Sequence, residues 1–108
     1  MIYEVNLVIP IEFQEEYNHW LHEHIKEMCA FEGFIKAEVY QNNVSQKTSQ
    51  DENMHYELCV QYHLKNIHTL HNYEKLHAQR MRGDGISKWG TQVQASRRIL
   101  EPYILREQ

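Results

Sequence analysis

The sequence predicts an α+β fold, a ferredoxin-like βαββαβ sandwich in which a four-stranded antiparallel sheet carries two helices on one face. Three observations lead there. Apolar and polar residues alternate strictly near the N-terminus and again in mid-chain, the signature of strands with one buried face. Two other segments repeat apolar residues every three or four positions, as helices with one buried stripe do. At 108 residues the chain is long enough for one core and too short for two, so a single domain spans residues 1–108.

The first strand is IYEVNLVI, with Tyr3, Val5, Leu7 and Ile9 on one side and Glu4 and Asn6 on the other. A helix starts at Phe13, repeats Tyr17, Trp20, Leu21, Ile25 and Met28 on one stripe, and stops before Gly33. FIKAEVYQ resumes strand alternation, and the polar stretch 42–53 reads as a hairpin connection. MHYELCVQYHL, residues 54–64, has the cleanest alternation of the chain. Asn66 then offers an N-cap for a second helix whose stripe holds Ile67, Leu70, Tyr73, His77, Ala78 and Met81, with Gly83 and Gly85 expected to end it. TQVQASRRIL supplies the last strand, limited by Pro102. The sheet face turned away from the helices then carries Glu4, Asn6, Lys36, Glu38, Glu57, Gln61 and Arg98, to be covered by water or by a second subunit.

Composition narrows the function classes. A hydrophobic fraction of 42% with 24% charged residues fits a folded domain, neither disordered nor membrane-spanning. VNLVIPI is too short to cross a bilayer and has no basic residues before it, so no export signal is expected. The two cysteines, Cys29 and Cys59, form no CxxC pair, which points to reduced thiols and a cytoplasmic location. Net charge is −4 without a Lys/Arg block, which argues against nucleic-acid binding, although protonation of the eight histidines would reverse the sign in mild acid.

MIYEVNL, EYNHWLHEHIKEM, GFIKAEVY and above all HAQRMRGDGISKWGTQVQASRRIL resemble the uncharacterised bacterial domain-of-unknown-function 4286 family. That family in turn resembles the dimeric α+β barrel superfamily. The resemblance implies two ferredoxin-like subunits packed sheet to sheet as a homodimer, and some members of the wider group are small oxygenases or heme-degrading enzymes that bind substrate between helices and sheet. It implies no established activity, and no cofactor is expected.

The candidate chemistry lies on the inward stripes. His24 shares a helix face with Trp20, Leu21 and Met28, and His77 joins Tyr73 and Met81 on the second helix. Arg97 shares parity with Val93, Ala95 and Ile99 in the last strand, so it points to the same layer. Together His24, His77, Arg97, Trp20 and Tyr73 suit a carboxylate, enolate or phenolate: the guanidinium offers a planar fork of donors, and a neutral imidazole accepts a proton. The alternative is a set of core rings whose nitrogens are satisfied inside the protein.

His19, His22 and His24 lack the spacing of an HExxH helix, and His55, Glu57, Cys59 and His63 spread along a strand, so a polar interface is preferred to a metal site. Arg82-Gly83-Asp84 reads as a chance RGD at a helix end, and Trp89 as a lid or packing ring. No nucleophile signature surrounds any serine, and Cys29 is expected to be inert. The function expected is binding of a small anionic or aromatic molecule between helices and sheet. A cofactor-independent oxygenase or isomerase with a histidine base and a non-catalytic interaction module are the alternatives.

Overall fold

The computed structural model describes residues 1–42 and 55–106. Met54, read from the sequence as part of a strand, and all but the first residue of the 42–53 connection lie outside them. The elements run β1 (Ile2–Pro10), a short 3-10 turn (Ile11–Phe13), α1 (Gln14–Cys29), β2 (Phe34–Gln41), β3 (His55–Leu64), α2 (Ile67–Leu76), α3 (Ala78–Trp89) and β4 (Gln94–Leu100). Strand order is β2-β3-β1-β4 with every neighbouring pair antiparallel, the topology of a ferredoxin-like α+β sandwich.

β1 sits between β3 and β4, and its parity sets the layers. Tyr3, Leu7 and Ile9 are buried under the helices, opposite Tyr62, Leu58 and Tyr56 of β3. The even residues face the uncovered side. There Glu4 is only 1% exposed, because Nε of Arg98 donates to its carboxylate from β4, Asn6 donates at 2.8 Å and Gln61 donates at 2.9 Å from β3. These donors, Arg98 foremost, hold the Glu4 carboxyl down at about 2. On the same face His63 meets Glu38 at 2.8 Å.

Two local devices shape the edges of the core. Between Phe34 and Lys36 the β2–β3 register shifts, and the displaced Ile35 is exposed while Phe34 stays buried opposite Leu64. Just before it, Gly33 adopts φ 87°, and a Cβ there would lie 2.1 Å from Thr69 Oγ1. Glycine is therefore required twice over, by conformation and by the close approach of α2. Asn66 caps α2 as the sequence suggests, its side chain accepting from the Thr69 N–H at 3.1 Å.

The second helix departs from the sequence reading. It ends at Leu76, His77 leaves helical geometry at φ −131°, and a third helix runs from Ala78 to Trp89 straight through Gly83 and Gly85. Each internal glycine costs a helix about 1 kcal/mol against alanine. Burial of Ala78, Met81 and Trp89 along one side of α3 outweighs that penalty. The stop is Gly90, at φ 62° with its N–H on the Ile86 carbonyl at 2.8 Å. Three helices, not two, cover the sheet.

Two tests follow from this framework. Gly33→Ala is expected to destabilise the fold by more than about 2 kcal/mol in denaturant melts, through both strain and overlap with Thr69. Glu4 is held below its ordinary 4.5, so its contribution is complete above that pH and is lost as pH falls from 4.5 toward 2. Glu4→Gln should lower stability at pH 7 by about 1 to 3 kcal/mol and flatten that acid limb.

Candidate functional site

A cavity of about 100 Å³ lies between α1, α3 and the helix-facing side of the sheet. Its floor includes Val5, Leu7 and Val60, the inward residues of β1 and β3. Its walls are rings: Trp89 packs 5.1 Å from Tyr17, 5.5 Å from Phe13 and 6.4 Å from Trp20, measured between centroids. Trp20 in turn stacks on His24 at 4.6 Å and 22°. One helical turn separates these last two residues, which is why α1 presents them as a continuous flat surface.

Charge inside the cavity is of one sign. Arg82 of α3 and Arg97 of β4 both line it, and among the described residues no aspartate or glutamate does. Arg97 makes no ion pair among the described residues and lies close enough to Tyr17, His24 and Tyr73 to act on each electrostatically. Arg82 is tied down: its Nη2 donates to the Tyr3 hydroxyl at 3.0 Å and to Glu74 of α2 at 3.1 Å. Burial pushes the His24 imidazole below its ordinary 6.5, so the ring is neutral at pH 7 and able to accept a proton. Burial also raises the Tyr17 and Tyr73 hydroxyls above their usual range, which keeps them uncharged. The site therefore combines apolar rings, a neutral base and two cations, an arrangement suited to holding a flat molecule with negative character.

Of the residues singled out in the sequence, Trp20, His24, Tyr73 and Arg97 line this cavity together. His77 is not among its lining residues. Its ring stacks on Phe31 at 4.0 Å and 7°, and its backbone joins α2 to α3 by donating to Tyr73 at 2.9 Å and accepting from Met81 at 3.0 Å. The helix break turns His77 out of the stripe on which an unbroken helix would keep it.

Sequence reasoning missed Arg82 as a cavity residue, reading it as a cation at a helix end. It also left open whether Trp89 was lid or core; Trp89 is 7% exposed and packed. The signal was present in the 82, 85, 86, 89 spacing of one helix face, hidden by the assumption that Gly83 ended the helix. Among the described residues no group of three or more histidine, cysteine or acidic side chains could hold a metal ion.

His77→Ala is expected to cost about 1 kcal/mol, the value of one stacked ring pair, against about 2 to 5 kcal/mol for Leu70→Ala on the same helix pair. A loss from His77→Ala as large as that from Leu70→Ala would show a deeper structural role. For His24 the folded form favours the neutral ring, so its contribution to stability is complete above pH 6.5 and declines as pH falls below that value, where the unfolded chain takes up the proton first. An NMR titration should place the His24 midpoint below 6.5.

Residues 1–103 match the domain-of-unknown-function family DUF4286. No curated protein matches the chain. Among solved structures, a Deinococcus radiodurans protein described as a candidate antibiotic biosynthesis monooxygenase superposes with a TM-score of 0.61 at 13% identity, each chain covered over 100% of its length. At that identity the likeness is one of fold. No helix among the described residues is long and apolar enough to cross a membrane.

Proposed function

Because this chain belongs to the domain-of-unknown-function family DUF4286, whose name assigns no activity, we propose from the site itself that it binds a small aromatic or anionic organic molecule between helices and sheet. The observation that carries the reading is the cavity lined by Arg82, Arg97 and the Trp20–His24 stack without a carboxylate among the described residues. Rings give contact area to a flat ligand, and uncompensated guanidinium groups favour an anion over a neutral analogue.

The test is calorimetric titration with benzoate and with benzyl alcohol, its neutral counterpart. Benzoate should bind more tightly, and Arg97→Ala should weaken benzoate about tenfold while shifting the melting midpoint little, since Arg97 is exposed and unpaired among the described residues. Absence of binding by both compounds would sink the reading.

The neutral His24 favours a second reading, that the bound molecule also reacts. There His24 removes a proton from a phenol or carbon acid, and the guanidinium charge steadies the resulting anion, as an isomerase or a cofactor-independent oxygenase requires. His24→Gln would then abolish turnover while retaining binding.

We assign the uncovered sheet face to a homodimer contact. Tyr40 and Leu100 stand there among polar groups, and the Arg98–Glu4 pair neutralises its centre, which suits a self-complementary, partly polar interface. Sedimentation at micromolar concentration should give a dimer, and a persistent monomer would remove this assignment while leaving the cavity reading intact. Both cysteines are free thiols, which fits a reducing, cytoplasmic setting.

A further inference from the structure

The inner face of α3 presents Arg82, Gly85, Ile86 and Trp89 to the cavity, the three- and four-residue spacing of one helical stripe. At the two ends of that stripe stand buried N–H groups, Nε of Arg82 and Nε1 of Trp89, to which no acceptor among the described residues is bonded. Both groups are donors only, so neither can be satisfied by rotation or by a change of tautomer. Leaving a buried donor unmet is costly, and two on one cavity wall imply that something entering the cavity accepts from them.

Spacing decides what that is. Seven helical residues rise roughly 10 Å, several times the separation of the two oxygens of one carboxylate, so a single acid group does not reach both donors. Between the donors the wall is bare. Gly85 carries no side chain, and a Cβ there would already be 3.3 Å from the Trp20 ring, so α3 and the Trp20–His24 stack bound a narrow slot. Its volume of about 100 Å³ is of the order of cavities that take up one benzene-sized ring. A two-ring ligand exceeds that space.

Resting on the binding reading above, we infer that the ligand is a single aromatic ring with oxygen acceptors at opposite ends, an anionic one met by Arg82 and a second one met by the Trp89 indole N–H. The ring lies in the slot between Gly85 and Trp20. Arg82 and Trp89 are then the specificity-determining residues: the first selects charge, the second selects the substituent across the ring. A molecule with only one oxygen group leaves one donor unmet, and the site discriminates against it for that reason.

The probes are 4-hydroxybenzoate, benzoate, phenol and toluene, titrated calorimetrically into the full chain. 4-Hydroxybenzoate should bind about tenfold more tightly than benzoate, and phenol and toluene more weakly still. Trp89→Phe keeps a ring against Phe13 and Tyr17 but removes the N–H, and should bring the ratio of 4-hydroxybenzoate to benzoate affinity to about one. Equal affinities in the unaltered protein, or a tenfold ratio that survives Trp89→Phe, would overturn the inference while the cavity reading stands. Failure of all four probes to bind would remove both. Should Trp89→Phe fold poorly, the ranking of the four probes on the unaltered chain decides alone.

Discussion

The contact between Arg82 and Tyr3 ties the helical layer to the sheet. Tyr3 is buried in the central strand, yet its hydroxyl still needs a hydrogen-bond partner inside the protein. Arg82 supplies it across the full depth of the helix–sheet layer and reaches Glu74 of α2 with the same nitrogen. One guanidinium thus joins β1, α2 and α3. It fixes the position of α3 relative to the sheet, and with it the position of Trp89 two turns further on.

What that position leaves open matters as much as what it closes. α3 brings glycine at 83 and 85, and its apolar side chains Met81 and Trp89 pack at the flanks of the cavity. A helix of the same length with leucine at position 85 would collide with Trp20, so the close approach of α1 and α3 depends on the missing side chain. Interiors otherwise reach crystal-like density, and an unfilled volume forfeits contact energy. Here it coincides with two buried donors, two arginines and a neutral histidine. That coincidence is difficult to ascribe to packing alone and is the ground for reading the space as a binding site.

Much of the fold was legible because it depends on period and parity. Alternation over Tyr3, Val5, Leu7 and Ile9 places those residues under the helices, and the α1 stripe brings Trp20 and His24 inward, since each element obeys its own period throughout. The break at His77 was not legible. Nothing local marks it: the apolar spacing continues through Ala78 and Met81, and the two glycines that do look like a stop are overridden by burial on either side of them. The error propagated into the site, placing His77 inside and leaving Arg82 at a supposed helix end. The burial of Glu4 was hidden for a different reason, because a carboxylate on an uncovered sheet face becomes enclosed only when Arg98, Asn6 and Gln61 from three strands converge on it, and register decides that.

The central claim is that the Arg82–Tyr3 hydrogen bond couples α3 to the sheet, and a double-mutant cycle measures that coupling directly. Tyr3→Phe removes the acceptor and little else, while Arg82→Gln removes the donor, and denaturant unfolding of both single variants and the double variant isolates their interaction from the separate contact with Glu74. A coupling energy of about 1 to 2 kcal/mol is expected for a buried hydrogen bond to a charged group. Strictly additive losses, with a coupling near zero, would contradict the claim that this contact holds the helix over the cavity.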